Sequence, residues 1–418
     1  MTSHTRTWRW LTAVFCAAVT SSIAHSQAPT PPPVNTLNGA EVIATIRRVA
    51  DWQLDHQTPR DPAHWSLAPL YDGMIDASLV TGDPIYLAAV LREGERLQFK
   101  LGSRTYHADG HAAGHAWLRI HLMNPDAGIV DLEPFIAQFD EIVNDPIEED
   151  LSFTEKPPFR LFRTDRWTWA DALYMSPPTM ALLAVATGDD RYLQFVDSEY
   201  RLTYQNLFDP TERLFYRDET YIGQKTPNGE KVFWSRGNAW VYAGLALLLD
   251  SVRADYPGRP FYVSLYDEMS PALLAVQQPD GHWYTSLKDP AHVPVGETSG
   301  SALFVLGMAR GVRNHWLDPY LYWPAVERGW RAILTRVDED GAVNFVQPFG
   351  EAPEVFDPKS RETYGTGAVL MAGAEIARSL GAAPPVDPAV LLAQADALAP
   401  FAPNISNECE DNDCDAND

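Results

Sequence analysis

The chain has 418 residues, of which 32 are Lys or Arg and 56 are Asp or Glu, so its formal net charge is −24. This charge repels phosphate backbones and anionic membrane surfaces, which excludes nucleic acid as an expected partner. A hydrophobic share of 45% against 21% charged residues indicates a globular protein. The 13 Trp, 17 Tyr and 17 Phe predict aromatic side chains that face a ligand.

Residues 1–26 have the pattern of a secretory signal peptide. Arg6 and Arg9 precede an apolar stretch at 11–23, and small residues follow up to Ser26. The apolar stretch is shorter than the roughly 20 residues that cross a bilayer. We expect a periplasmic or secreted protein with no membrane segment in its mature form. The alternative interpretation is an N-terminal core helix.

Composition divides the rest of the chain into three parts. A Pro-rich linker at 27–38 leads into a helical domain at 39–395, and an acidic tail occupies 396–418. Cys409 and Cys414 lie in this tail, where they could form a small disulfide loop. The neighbouring acids have the spacing of calcium ligands but lack the glycine and the distal Glu of such a loop. A solvated tail is the favoured interpretation.

The region between 39 and 395 is predicted to be all-α. Apolar residues recur there at three- and four-residue spacing, and no long alternating strand pattern occurs. The examples we take as helices are 40–53, 85–100, 178–187, 239–253, 299–313, 325–335 and 366–380.

Repeated turn motifs predict antiparallel helix pairs. Gly82-Asp83 and Gly188-Asp189 each follow a Thr, so a glycine ends one helix and an aspartate caps the next. Between helices, segments such as 280–284 combine Asp, Gly and aromatic residues, which predicts short β-hairpins at one end. A closed ring of helical hairpins fits this layout, and an open solenoid is the alternative.

Asp171 is the main candidate for chemistry. It lies between Trp169 and Met175, just before Ser176, which can cap a helix beginning at Pro177. A carboxylate among aromatic walls is poorly hydrated, which raises its pKa and suits it to proton donation. The alternative is that Asp171 is a helix cap or an ion-pair partner.

Asp109 is the second candidate acid, and it could form an acid/base or acid/stabiliser pair with Asp171. It precedes His111 and His115, whose spacing would let them meet on one helical face and bind zinc. No third ligand and no Glu base accompany them, so we expect no metal site.

Arg236 stands between Trp234 and Trp240. A guanidinium beside an indole can hold a carboxylated sugar, because it binds the carboxylate through two hydrogen bonds while the indole covers the apolar face of the ring. Arg217 could supply a second cation. The alternative places both tryptophans in the core and pairs Arg236 internally.

Three of these segments resemble motifs of the unsaturated glucuronyl and rhamnogalacturonyl hydrolases, glycoside hydrolase family 105 and the related family 88. They are Trp169 to Pro177, Trp234 to Trp240 and Glu297 to Ala302, and the resemblance extends over roughly 40–385. It implies an (α/α)6 barrel with short β-hairpin loops at the active-site end, no cofactor, and an unsaturated acidic oligosaccharide as substrate. A 4,5-unsaturated uronic acid would be removed from its non-reducing end.

The resemblance also implies the chemistry, in which the C4=C5 bond is hydrated instead of the anomeric carbon being attacked. Carried over, Asp171 protonates C4 and activates the water that adds at C5, and Asp109 helps to hold the sugar and the water. The residues that match sugar-binding positions or line the same pocket are Trp169, Met175, Arg236 and Trp240.

One residue departs from the family pattern: Arg217 stands where members commonly have His, close to the sugar. This change concerns the uronate linkage or the neighbouring subsite, and it leaves two alternatives open: a different polysaccharide, such as a sulfated or rhamnose-bearing one, or reduced activity. Two other classes of function stay open. One is an (α/α)6 glycosidase that acts on a saturated glycoside with two carboxylates, whose separation would indicate retention or inversion. The other is a carbohydrate-binding protein without activity.

Overall fold

The computed structural model describes residues 36–148, 150–153 and 164–407. The expected signal peptide, most of the linker and both tail cysteines lie outside these residues. Within the described ranges, no helix combines the length and apolarity needed to span a bilayer.

Helices dominate the described residues, and the strands are two residues long. The helices, in chain order, are α1 (Gly39–Asp55), α2 (Ala68–Thr81), α3 (Pro84–Leu97), α4 (Ala112–Met123), α5 (Glu133–Asn144), α6 (Ala172–Met175), α7 (Pro177–Thr187), α8 (Arg191–Leu207), α9 (Ser235–Ser251), α10 (Arg259–Ala275), α11 (Thr298–Arg313), α12 (Pro319–Leu334), α13 (Thr363–Ser379) and α14 (Pro388–Leu398). The strands are β1 (Thr58–Pro59), β2 (Phe208–Asp209), β3 (Leu214–Phe215) and β4 (Ser406–Asn407).

Six of the long helices form a closed inner ring. Helices α2, α4, α7, α9, α11 and α13 contact one another in that order, and α13 returns to α2. Helices α1, α3, α5, α8, α10 and α12 alternate with them in the chain and form an outer layer. The predicted (α/α)6 barrel is therefore confirmed, and the open solenoid is wrong.

Burial explains which helices lie inside. Every residue of α9 from Ser235 to Leu249 is buried, whereas α1 and α8 bury only one face. The ring closes through glycines on α2 and α13: a Cβ built on Gly73 would lie 2.9 Å from the Cα of Gly367. The two backbones can approach this closely only because neither residue has a side chain.

Connection lengths place the loops at one end of the barrel. Gly82 adopts φ 71° and ends α2, and the Asp83 side chain accepts a hydrogen bond from the Ile85 amide, as the turn motif predicts. Gly188 and Asp189 repeat this turn. Short turns thus follow most inner helices, while long segments precede them. The long segments gather where the inner helices begin.

The folded chain extends past residue 395, where the sequence analysis ends the domain. The strand β4 pairs in parallel with β1. The amides of Ile405 and Ser406 both donate to the buried carboxylate of Glu93. Residues 396–407 are therefore part of the domain, and the acidic segment from 408 onward lies outside the described residues.

Candidate active site

A cavity of about 720 Å³ lies at the end of the barrel where the long connections gather. Six of the seven predicted site residues line it: Asp109, Trp169, Asp171, Met175, Arg217 and Arg236. Further aromatic walls come from Trp65, Phe153, Trp234 and Phe349. The cavity thus combines aromatic surface, three acids and three arginines, which suits a sugar carrying a carboxylate.

Backbone pairing positions Asp171. The amide of Ala170 donates to the carbonyl of Arg217 over 2.7 Å, and Trp169 forms an antiparallel bridge with Asp218. Asp171 follows directly and begins the short helix α6, where its carbonyl accepts from the Tyr174 amide. Two segments that are distant in sequence therefore meet side by side at the cavity wall.

The Asp171 carboxyl group is poorly solvated and incompletely bonded. Its side chain is 14% exposed, and its Oδ2 atom is buried without a hydrogen-bond partner. Burial raises the pKa of Asp171, and the neighbouring Arg217 and Arg236 oppose that rise only in part. The side chain makes no cap bond to α6. Asp171 thus has the environment of a proton donor rather than of a helix cap.

Arg217 is the cation beside Asp171. Its Nε atom lies 3.9 Å from Asp171 Oδ2, and its Nη1 atom lies 2.8 Å from Asp218 Oδ2 and 3.3 Å from Glu351 Oε2. The Nε atom is buried without a hydrogen-bond partner. The guanidinium carbon stands 4.6 Å from the centre of the Phe153 ring. One edge of this arginine therefore has donor capacity left for an anion.

Arg236 is bound differently from the expected clamp on a carboxylate. Its Nη1 atom donates to the Gln347 carbonyl over 2.5 Å and its Nη2 atom to the Pro348 carbonyl over 2.8 Å. Its guanidinium carbon lies 4.5 Å from the centre of the Trp234 ring. The internal pairing that the sequence left open is what the structure shows, so Arg236 anchors the segment at 347–348. Only its Nε remains without a partner at the cavity.

Asp109 lies on a single 3-10 turn that precedes α4. Its Oδ2 atom is 3.9 Å from Arg104 Nη2 and 3.7 Å from His107 Nδ1. The His107 ring in turn packs against Trp169, with 5.1 Å between centroids. Asp109 and Asp171 thus reach the same cavity from different segments, as the sequence predicts.

The two histidines that follow Asp109 have structural partners. His111 bonds through one ring nitrogen to Ser176 Oγ and through the other to the Thr105 carbonyl, and burial lowers its pKa to about 4. Ser176 therefore makes no side-chain cap on α7, contrary to our expectation. His115 bonds to Asp72 over 2.8 Å. Among the described residues, no group of three or more His, Cys, Asp or Glu side chains could hold a metal ion.

Comparison with known proteins decides the family. Residues 44–380 match the model of Glycosyl Hydrolase Family 88. The chain belongs to this family. It is therefore a glycoside hydrolase, and the resemblance drawn from its motifs is confirmed.

Curated relatives and solved structures agree with this family 88 assignment. The chain is 37% identical over 347 residues to an unsaturated 3S-rhamnoglycuronyl hydrolase of Formosa agariphila, a match covering 81% of this chain and 91% of that protein. It is 34% identical over 320 residues to an Alteromonas sp. enzyme of the same name, covering 75% and 77%. A glycosyl hydrolase family 88 structure from Bacteroides vulgatus superposes with a TM-score of 0.72 at 27% identity, covering 82% of this chain and 100% of that one.

Trp240 is the predicted site residue that the structure places apart from the cavity of this family 88 enzyme. Its side chain is fully buried and packs against Trp65, Tyr174 and Tyr364, with centroid distances of 6.3, 4.6 and 6.1 Å. It therefore supports the cavity wall from behind. The direct contact with sugar expected from the motif has no counterpart in this arrangement.

Several lining residues were not found from the sequence. Trp65, Arg104, Phe349 and Glu351 all line the cavity. They come from the long connections ahead of α2, α4 and α13. The feature of the sequence that could have identified these residues is the length of the connections, because loops that gather at one end of a barrel usually carry the binding residues.

Proposed function

We propose that this family 88 enzyme removes a 4,5-unsaturated uronic acid from the non-reducing end of oligosaccharides by hydrating the C4=C5 bond. The observation that carries the proposal is the buried, partner-free Asp171 Oδ2 beside Arg217 in an aromatic cavity. The names of the relatives, unsaturated rhamnoglycuronyl hydrolases, support the same reaction class.

The raised pKa of Asp171 suits the first step, because the group must carry a proton at neutral pH to deliver it to C4. Protonation of C4 leaves positive charge shared between C5 and the ring oxygen. The carboxylate of Asp171 then accepts a proton from water as the water oxygen bonds to C5. The resulting hemiketal opens the ring, and the hemiacetal at C1 expels the rest of the oligosaccharide.

Arg217 is the residue best placed to bind the uronate carboxylate. Its Nε–H has no hydrogen-bond partner, and it is next to the acid that must reach C4. The indoles of Trp65, Trp169 and Trp234 supply the apolar surface that covers a sugar ring. Asp109 lines the same cavity from the turn before α4 and can accept hydrogen bonds from hydroxyl groups or the attacking water.

We further propose that the unsaturated uronic acid is attached to rhamnose. Two relatives above 30% identity are named unsaturated 3S-rhamnoglycuronyl hydrolases, and their matches cover three quarters or more of this chain. Arg217, which replaces the His common in related families, is the cavity residue that fits a distinct linkage.

The decisive experiment is turnover in deuterated water. Unsaturated disaccharides from several lyases, with and without rhamnose, are incubated with the enzyme in D2O and followed by ultraviolet absorbance and NMR. We expect loss of the conjugated double bond and deuterium at C4 of the released acid. An ordinary two-carboxylate glycosidase would first release the cyclic unsaturated sugar, whose double bond is lost only afterwards, as the free sugar opens and its C5 enol tautomerises to the ketone. Release of the other sugar ahead of the loss of absorbance would therefore overturn the proposal.

We also infer that the enzyme works in the periplasm or outside the cell, because residues 1–26 have the pattern of a signal peptide. Expression of the full chain in a bacterial host tests this. The expected result is an exported protein whose N-terminus is Gln27, and an intact Met1 in the cytoplasmic fraction would contradict it.

A further inference from the structure

The segment before α13 forms a fixed wall of the cavity. The Gln347 carbonyl accepts hydrogen bonds from Arg236 and from the Tyr364 hydroxyl, and the Gln347 side chain accepts one from Trp234 Nε1. The Gln347 amide donates to the buried carboxylate of Glu297. These bonds hold the backbone that carries Glu351, four residues further on, at the rim of the cavity.

Two carboxylates contact Arg217 Nη1, and they are held very differently. Asp218 is fully buried and also accepts from the amide and the hydroxyl of Thr220, at 2.8 and 2.5 Å. Glu351 is half-exposed, and its ion pair with Arg217 is longer, at 3.3 Å. Asp218 is therefore a permanent partner of the guanidinium, whereas Glu351 can leave it at little cost.

The guanidinium of Arg217, which Glu351 contacts, is also the cation that a uronate carboxylate would bind. Both terminal nitrogens of Arg236 are bonded to backbone carbonyls, whereas Arg217 has a partner-free Nε atom 3.9 Å from Asp171 Oδ2, so we assign the uronate carboxylate to Arg217. Two carboxylates on one largely buried guanidinium repel each other. Binding of an anionic sugar at Arg217 is therefore opposed by Glu351.

We propose that Glu351 is a specificity-determining residue that competes with the carboxylate of the ligand for Arg217. This inference rests on the proposed function, because it assigns the uronate to Arg217. Glu351 weakens the binding of every free uronic acid, including the released product. An oligosaccharide overcomes the competition through its additional sugar contacts. The residue thus imposes a penalty that ligands with further sugar contacts outweigh, and it hastens release of the single uronic acid.

The test compares Glu351→Gln with Glu354→Gln, an exposed acid three residues further along that does not line the cavity. The probe is D-glucuronate, with its neutral methyl ester as the uncharged counterpart. Binding is followed by tryptophan fluorescence, because Trp65, Trp169 and Trp234 line the cavity. Thermal unfolding of both variants checks that the fold is intact.

We expect Glu351→Gln to bind D-glucuronate roughly three- to tenfold more tightly than the wild type, with a gain that shrinks as salt is added. The Glu354→Gln variant and the methyl ester should show less than about a twofold change. Unchanged or weaker binding by Glu351→Gln overturns the inference, and so does an equal gain for the methyl ester.

Kinetics separate this inference from the proposed function. With an unsaturated disaccharide as substrate, Glu351→Gln should lower KM and leave kcat unchanged or reduced, because the product leaves more slowly. If no unsaturated substrate is turned over yet D-glucuronate binds the variant more tightly, the proposed function fails and the role of Glu351 stands. If turnover is observed without tighter binding, the role of Glu351 is wrong.

Discussion

Two groups of buried charges lie inside the barrel, and they differ in how completely their atoms are bonded. Deep in the ring, the buried Glu375 accepts from Arg310, Arg313 and Arg378 at 2.8, 2.7 and 2.9 Å. At the cavity end, Asp171 and Arg217 approach only to 3.9 Å, and each keeps a buried atom without a hydrogen-bond partner. Carboxylates and arginines thus form a fully bonded group in one place and an incompletely bonded group in the other.

The deep group ties the inner helices together. Asp76 on α2 accepts from Arg119 on α4 at 2.7 Å and from Arg378 on α13 at 2.8 Å. These arginines hold the pKa of Asp76 well below its ordinary value despite its burial. Charges that are bonded this fully fix the register of neighbouring helices and offer nothing to a ligand.

The cavity group, Asp171 and Arg217, is incompletely bonded. A buried carboxyl oxygen without a hydrogen-bond partner costs free energy in the folded state. Such a cost is tolerated at a functional site, where the missing partner is the substrate. The comparison therefore predicts that substitutions in the deep group reduce stability, whereas those in the cavity group reduce activity.

The largest expected effect is on activity. Asp171→Asn should reduce kcat by about 10²- to 10⁴-fold, because the proton donor is lost. Stability should stay the same or increase, since no hydrogen bond of Oδ2 is removed. Turnover of an unsaturated disaccharide and thermal unfolding measure the two quantities. A strongly destabilised Asp171→Asn variant would show that Asp171 belongs with the structural charges.

Glu375→Gln should have the largest effect on stability. Removing this charge leaves three arginines without their common partner, so the free energy of unfolding should fall by about 3–5 kcal/mol. Urea denaturation measures this change, and kcat of the folded variant should be unchanged. Arg253→Gln is the control, since it breaks an exposed ion pair with Asp190 and should have little effect.

The burial of Glu375 among arginines also predicts how the stability of the fold depends on acid. The arginines lower the pKa of Glu375 to about 2 from its ordinary value of 4.5. Because the pKa of Glu375 is lower in the folded protein than in the unfolded chain, its ionised carboxylate stabilises the fold above pH 4.5. That stabilisation is lost as the pH falls toward about 2. Unfolding measured at successive pH values should show this loss. Glu375→Gln should flatten the dependence in this range, and an unchanged dependence would contradict the assignment.

Arg217 should influence the pH dependence of catalysis. Its positive charge lowers the pKa of Asp171, so Arg217→Gln should raise that pKa further. Because Asp171 acts in its protonated form, the alkaline limb of kcat/KM should move to higher pH while KM increases. Arg217→Lys keeps the charge and should shift the limb less. A limb that moves to lower pH in Arg217→Gln would exclude Asp171 as the titrating acid.

The smallest effect is expected at Trp240. Its side chain packs behind the cavity wall and its Nε1 atom has no hydrogen-bond partner, so Trp240→Phe should change KM by less than about threefold. A modest loss of thermal stability should accompany the smaller ring. An increase in KM of about tenfold or more would instead support the direct sugar contact that the motif predicts.

Local motifs were sufficient to predict part of the site. Trp169, Asp171 and Met175 lie within seven residues, so the sequence shows them together and the fold keeps them together. The partners of Arg236 could not be predicted in this way. Gln347 is 111 residues away from Arg236 in the sequence. The acceptor is its backbone carbonyl, a group that every residue has, so the residue type does not identify it.

Proline explains one error in the helix prediction. The helix expected from apolar spacing begins at residue 325, directly after Pro324; proline usually breaks a helix. The structure extends α12 from Pro319 to Leu334 with Pro324 inside it. Helix α10 contains Pro271 in the same way and is not among the helices given as examples from the sequence. Packing against the inner ring outweighs the local preference at both positions.

The contact between Gly73 and Gly367 fixes how closely α2 and α13 approach each other. Because neither position has room for a methyl group, the inner ring cannot widen or tighten at this seam to suit a larger or smaller sugar. New specificity within this scaffold must therefore arise in the segments that precede the inner helices, where insertions and substitutions leave the ring unchanged.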